Sequence, residues 1–93
     1  MGFGTFVRVR RQEKGISLNE FSRRLDISPA YWSRIEREVE KAPKDELIQK
    51  AAELLEVPRD EMFIQAERFP PEMKRDVAFA LQAYRRAAKK DRR

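Results

Sequence analysis

The apolar residues of this 93-residue chain recur at intervals of three and four, which is the spacing of amphipathic helices. The pattern is clearest between Ser17 and Glu38, where a polar capping residue precedes each of two short apolar stretches. Ser17 is followed three residues later by Glu20, the spacing of a capping box at a helix start. Ser28 is followed by Pro29, which suits the first helical position because no N–H is needed there. The pattern therefore predicts two short helices that begin after these serines.

A very short connection joins the two predicted helices. Phe21 and Leu25 form the apolar face of the first helix, and Trp32 and Ile35 form that of the second. Because only residues 26–27 lie between them, the helices cannot run antiparallel and must cross steeply, as in a helix-turn-helix. Such a unit places the start of its second helix in the DNA major groove. The sequence therefore predicts binding to double-stranded DNA.

Four further helices are predicted from the same periodicity and from the prolines that interrupt it. They cover residues 5–14, 44 or 45 to 56, 59–67 and 72–90. No stretch of the sequence alternates in the manner of a β-strand. We therefore expect an all-α protein. Residues 1–67 would form a five-helix DNA-binding domain, and residues 68–93 an additional amphipathic helix with a basic tail.

The last predicted helix carries a single apolar stripe. Its members, spaced by four and three, are Met73, Val77, Leu81 and Tyr84. This stripe can pack onto its own domain, pair with a second copy of the chain, or bind another protein. The other face is basic, a pattern that also occurs in helices lying on anionic membranes. Because the helix follows a DNA-binding module, we expect dimerisation or self-packing and no membrane binding.

Composition narrows the possible activities. The 21 lysines and arginines outnumber the 16 acidic residues, and the net charge of +5 favours an anionic partner. Histidine and cysteine are absent, so the commonest general base and the thiol nucleophile are missing. No apolar run approaches the roughly 20 residues of a membrane span. We therefore expect a cytoplasmic protein that is not an enzyme and uses no metal or cofactor.

Several motifs together resemble the Cro/phage-repressor family, also called XRE-type. The motifs are RRQEKGISLNEF, LDIS, SRIERE and PKDELIQKAAELLEV, and the resemblance covers roughly residues 3–64. It implies a lambda-repressor-like fold and sequence-specific DNA binding. Members of the family usually bind a palindromic operator as homodimers and usually repress transcription. The resemblance says little about the last helix, which lies outside the shared region.

The resemblance also implies which residues face the bases. They are Ala30, Tyr31, Ser33 and Arg34. Arg34 lies on the side of its helix opposite Trp32, where its guanidinium can donate two hydrogen bonds to guanine. The alternatives are that Arg34 is only solvated and that Tyr31 only covers the edge of the core. Trp32 could stack on a base, but its helical alignment with Ile35 favours a place in the core.

Other residues are expected to contact the DNA backbone or to hold the fold together. Helix starts offer free N–H groups to phosphates, and cations beside the recognition helix flank the groove. The expected backbone contacts are Ser17, Asn19, Arg23, Ser28, Arg37, Lys41 and Lys44. Arg11 and Glu36 match a family ion pair that ties the first helix to the end of the third. Breaking this pair should unfold the domain rather than change its specificity.

The sequence departs from the family pattern at the ends of two helices. Asp26 stands in the turn where glycine is common, which requires a less usual backbone conformation. Arg37 and Glu38 replace the usual residue-then-glycine ending, which predicts that the third helix runs on to Glu40 or Lys41.

The leading hypothesis is a homodimeric repressor of transcription. The alternative is an antitoxin or adaptor whose C-terminal helix binds a partner protein and whose helix-turn-helix is secondary. A stable stoichiometric complex with a second protein would favour this alternative.

Overall fold

Six α-helices make up the part of the chain that the computed structural model describes, residues 2–68 and 74–90, with side chains at 2–68 and 79–87. The helices are α1 (Phe3–Glu13), α2 (Leu18–Arg24), α3 (Pro29–Glu36), α4 (Asp45–Leu55), α5 (Arg59–Gln65) and α6 (Lys74–Lys90). No strand occurs within these ranges, which confirms the all-α prediction. None of the helices described is both long and apolar enough to cross a membrane.

The core of residues 2–68 is built around Trp32. This side chain is fully buried, as are Phe21 and Phe63. The Phe21 ring lies 5.4 Å from the Trp32 ring, and the Phe3 ring meets it edge-on at 6.4 Å. Every helix from α1 to α5 contributes to this cluster. Trp32 therefore belongs to the core, as the sequence predicted, and is not a platform for a base.

The helices α1 to α5 all end in the same way. Within two residues of each helix end, one residue adopts the left-handed conformation, with φ between 56° and 67°. These residues are Gly15, Asp26, Glu38, Glu56 and Glu67. In each case the amide of this residue and the amide of the next residue donate to carbonyls of the last helical turn, the arrangement of a Schellman motif. Asp26 thus has the unusual backbone that the sequence requires of it.

The end of α3 corrects one prediction. The helix stops at Glu36 and does not continue to Glu40 or Lys41. Glu38 adopts a φ of 63°, its N–H donates to the Ile35 carbonyl at 3.1 Å, and the chain turns away from the helix. The prediction was wrong because it assumed that only glycine would stop the helix here, whereas a glutamate does so.

The start of α1 is capped by a residue that is distant in sequence. The helix begins at Phe3, two residues earlier than predicted, and its N-cap Gly2 has no side chain to satisfy the first amides. Instead, the Glu38 carboxylate accepts a hydrogen bond from the Thr5 N–H at 3.2 Å. Gly4 lies directly against α3, since a Cβ here would overlap the Ile35 carbonyl oxygen. The first turn of α1 is therefore fitted to the end of α3.

Candidate nucleic-acid interface

The two serine caps define where α2 and α3 begin. The Ser17 hydroxyl accepts a hydrogen bond from the Glu20 N–H at 3.1 Å, and the Ser28 hydroxyl accepts one from the Tyr31 N–H at 3.1 Å. Both caps are as predicted. In a complete capping box the Glu20 carboxylate would also accept a hydrogen bond from the Ser17 N–H. Here it binds the side chains of Arg23 and Arg24 instead.

The connection between α2 and α3 is a single tight turn. Asp26, with φ of 58°, donates its N–H to the Arg23 carbonyl at 3.1 Å, and Ile27 donates to the Ser22 carbonyl at 3.0 Å. Ser22 is itself buried, and its hydroxyl donates to the Leu18 carbonyl. The turn leaves the start of α3 on the surface, with Ser28, Pro29 and Ala30 all exposed. The short turn and the exposed start of α3 agree with the helix-turn-helix that the sequence predicted.

A buried ion pair fixes the rotation of α3 about its own axis. Arg11 donates from Nε and Nη2 to the two oxygens of Glu36 at 2.8 and 2.9 Å, and from Nη1 to the Ile16 carbonyl at 2.8 Å. The hydrogen bond to Glu36 raises the pKa of Arg11. Trp32 Nε1 also donates to Glu36, at 2.8 Å. The ion pair was expected from the resemblance, whereas the Trp32 bond was not, although the i, i+4 spacing of Trp32 and Glu36 permits it.

The opposite side of α3 carries the residues expected to face bases. Ala30 and Arg34 are exposed, while Tyr31 and Ser33 are half-buried. The Arg34 guanidinium carbon lies 5.9 Å from the centre of the Tyr31 ring, a distance that allows a cation–π interaction. Its Nε lies 3.6 Å from Glu40 Oε2. The Ser33 hydroxyl accepts a hydrogen bond from Arg37 Nε at 3.2 Å.

The expected phosphate contacts fall into separate surface depressions. Asn19, Arg23 and Ser28 line a shallow one of about 350 Å³ between the starts of α2 and α3. Lys44 lines another of about 400 Å³, together with Tyr31. Lys41 lies in neither of these depressions. It lines a third one, beside Gly2 and the end of α5.

The sequence did not identify two carboxylates that lie among these cations. Glu20 pairs with Arg23 and Arg24, and Glu40 pairs with Arg34. The i, i+3 and i, i+4 spacing of the Glu20 pairs was available in the sequence. The pairing of Glu40 was not, because it depends on where α3 ends. Within the described ranges, no group of three or more carboxylates is arranged as a metal site.

Comparison with known proteins gives consistent matches over this part of the chain. The family model described as helix-turn-helix matches residues 7–62. The transcriptional regulator SlrR of Bacillus subtilis is 35% identical over 60 residues, which are 64% of this chain. The chain spans about 40% of the length of SlrR.

Two solved structures are similar to the chain as well. One is SinR, a master regulator for biofilm formation crystallised in complex with DNA, with 28% identity and a TM-score of 0.60. That match covers 66% of this chain and 97% of the crystallised SinR chain. The other is the clp gene regulator ClgR of Corynebacterium glutamicum, with 28% identity and a TM-score of 0.59. That match covers 70% of this chain and 83% of the crystallised ClgR chain.

Proposed function

The chain belongs to the XRE-type helix-turn-helix family of DNA-binding transcriptional regulators, and we propose that it is a homodimeric repressor that binds a palindromic operator through α3. In this proposal it works in the cytoplasm, has no catalytic role and needs no cofactor. The recognition helices of two subunits enter successive major grooves, about 34–36 Å apart.

The single observation that carries the proposal is the way α3 is held. The Arg11–Glu36–Trp32 network fixes its inner side, so its outer side presents Tyr31 and Arg34 in a defined direction. A rigid helix with a forked donor on its outer side is suited to recognition of base edges. In this proposal Ala30, Tyr31, Ser33 and Arg34 contact bases, and the caps and flanking cations contact phosphates.

We assign dimerisation to α6. The side chains of residues 79–87 are all exposed, including Leu81 at 49% and Tyr84 at 71%. These two belong to the predicted stripe, whereas Met73 and the side chain of Val77 lie outside the described residues. Exposure of large apolar side chains on one helix supports an intermolecular contact over self-packing. We accordingly treat residues 1–67 as the DNA-binding unit and residues 68–93 as the association unit.

The test is selection of bound sequences from a random pool of DNA duplexes, together with the mass of the protein in solution. We expect an enriched palindrome and the mass of a dimer. Arg34→Ala should lose discrimination at one base position by roughly 5- to 150-fold, because a bidentate contact to guanine is removed. Arg8→Ala is the matched control, since Arg8 is an exposed cation on α1. No enrichment by the unaltered protein would refute the proposal.

The exposed apolar side chains of α6 also favour a second candidate, the antitoxin or adaptor. Phe79, which is 74% exposed, lies two residues before Leu81 and therefore on the opposite face of the helix, so α6 exposes apolar side chains on more than one face. A Leu81→Ser and Tyr84→Ser double variant separates the two candidates. Conversion of a dimer to a monomer, with weaker operator binding, supports the repressor. A monomeric unaltered protein that forms a stoichiometric complex with a second protein, lost in the double variant, supports the adaptor.

A further inference from the structure

Glu40 lies beside Arg34 because of the way the chain leaves α3. The left-handed residue Glu38 reverses the backbone, and the amides of both Val39 and Glu40 donate to the Arg34 carbonyl, at 3.0 and 3.2 Å. The backbone of Glu40 is thus hydrogen-bonded to Arg34, the residue whose side chain is expected to contact a base. Its carboxylate lies next to that side chain, with 3.6 Å between Glu40 Oε2 and Arg34 Nε.

The guanidinium of Arg34 therefore has neighbours from two elements. Tyr31 lies one turn earlier on α3, and Glu40 lies in the segment that follows the helix. Both charged side chains are partly open to water, with 46% of Arg34 and 40% of Glu40 exposed. An ion pair that is this exposed adds little to folding stability. The ion pair is therefore expected to affect which groups of the DNA Arg34 binds rather than the stability of the fold.

An exposed arginine on a DNA-facing helix has two kinds of target. Phosphate oxygens carry full negative charge and occur at every step of the duplex, so contact with them is independent of sequence. Guanine is neutral overall, and its O6 and N7 atoms carry only partial negative charge and are recognised by the geometry of the donor fork. A carboxylate beside the guanidinium repels phosphate and offsets the charge that attracts it. The same carboxylate penalises a neutral base edge far less.

We propose that Glu40 is a specificity-determining residue, which positions Arg34 for a base edge and disfavours its contact with phosphate. This inference rests on the proposed function, because it requires that α3 enters the major groove. Glu40 itself contacts no base in this arrangement. It acts through Arg34.

The experiment compares the unaltered protein with Glu40→Gln on the selected operator and on a duplex of unrelated sequence, at several salt concentrations. Affinity for the unrelated duplex should rise about three- to ten-fold, as one repulsive charge near the phosphates is removed. Affinity for the operator should rise less, so the ratio of the two affinities should fall by about three-fold or more. The dependence of the unrelated complex on salt should become steeper.

Two further variants show whether this effect passes through Arg34. Glu53→Gln removes the same charge from an exposed position of α4 and should leave the affinity ratio unchanged. In an Arg34→Ala background, Glu40→Gln should no longer alter the preference at the base position that Arg34 recognises. Circular dichroism melting should be the same for the unaltered protein and Glu40→Gln, which would exclude a folding defect.

The outcomes separate the two proposals. If the unaltered protein selects an operator but Glu40→Gln keeps the same affinity ratio as Glu53→Gln, the role of Glu40 is refuted and the proposed function stands. The same conclusion follows if Glu40→Gln changes the ratio equally with and without Arg34. If the unaltered protein selects no sequence at all, the proposed function and the role of Glu40 are both refuted.

Discussion

At the scale of single residues, Glu36 connects α3 to α1. Its two oxygens accept hydrogen bonds from Arg11 on α1 and Trp32 on α3, and it is 5% exposed. A carboxylate at this depth is tolerated because charged and polar donors surround it. Arg11, in turn, donates from its third guanidinium nitrogen, Nη1, to the Ile16 carbonyl. Each group in this network satisfies another, so the loss of one leaves a buried partner without its bond.

Glu36→Gln is expected to destabilise the protein by about 3–5 kcal/mol, because it leaves the Arg11 guanidinium buried without a counter-charge. The free energy of unfolding is measured by urea titration with circular dichroism as the signal. Glu53→Gln, at an exposed position on α4, is the matched control and should change it by less than about 0.5 kcal/mol. A similar small loss for Glu36→Gln would mean that the network contributes no stability of its own.

At the scale of helices, the ends of α1 to α5 are unusual in their residues rather than their geometry. Four of the five left-handed positions hold an acidic residue where glycine would fit without strain. Two of these carboxylates have partners, since Glu38 accepts from the Thr5 amide and Glu56 binds Lys14. Glu67 has an exposed side chain and no such bond among the described residues. Among the described residues, no side-chain contact therefore offsets its backbone strain.

Glu67→Gly is expected to stabilise the protein by about 0.5–1 kcal/mol, because relief of the left-handed strain exceeds the added entropy of the unfolded chain. Thermal and urea unfolding measure the change. Glu53→Gly provides a contrast with the opposite sign, since glycine in a helix interior costs about 1 kcal/mol. A destabilised Glu67→Gly would indicate that the Glu67 side chain makes a contact outside the described residues.

The helices were predictable from sequence to the extent that their signals are local. Ser17, Ser28 and Pro29 set the starts of α2 and α3 through neighbouring atoms, so these starts were predicted correctly. The start of α1 was not, because the group that caps it is Glu38, 33 residues away. The pairing of Arg34 with Glu40 was missed for a related reason, since it follows from the left-handed turn at Glu38.

At the scale of the whole molecule, a few long-range side-chain contacts tie the helix ends together. Lys14, after α1, donates to Glu56, after α4, at 2.7 Å across 42 residues of sequence. Arg68, after α5, donates to the carbonyls of Ala42 and Pro43 in the segment that precedes α4. The Lys14–Glu56 contact lies at the surface, so its strength depends on solvent conditions, whereas the hydrogen bonds of Arg68 are partly buried.

The Lys14–Glu56 contact predicts a small dependence of stability on acid. The hydrogen bond and the charge of Lys14 hold the pKa of Glu56 below its ordinary value. A carboxyl group with a lowered pKa in the folded state contributes stability above its unfolded pKa of about 4.3, and loses it as the pH falls through the folded pKa. Lys14→Met should raise the pKa of Glu56 toward the ordinary value and flatten this part of the pH profile.

Carbon-detected NMR titration of the Glu56 carboxyl measures this pKa directly, and urea unfolding at pH 3 to 7 measures the stability profile. Lys50→Met is the control, since Lys50 is an exposed lysine of α4 outside this contact. An unchanged pKa of Glu56 in Lys14→Met would show that the contact does not persist in solution.

The place of Trp32 gives the protein an intrinsic optical reporter. It is the only tryptophan of the chain, its indole is fully buried, and its N–H is bonded to Glu36. Its fluorescence should therefore be blue-shifted in the native protein and move to longer wavelength when α3 detaches from α1. Because the indole faces away from Arg34 and the expected DNA surface, bound DNA should not quench it by direct contact. The emission maximum thus reports whether α3 is packed against α1, independently of whether DNA is bound and without an added dye.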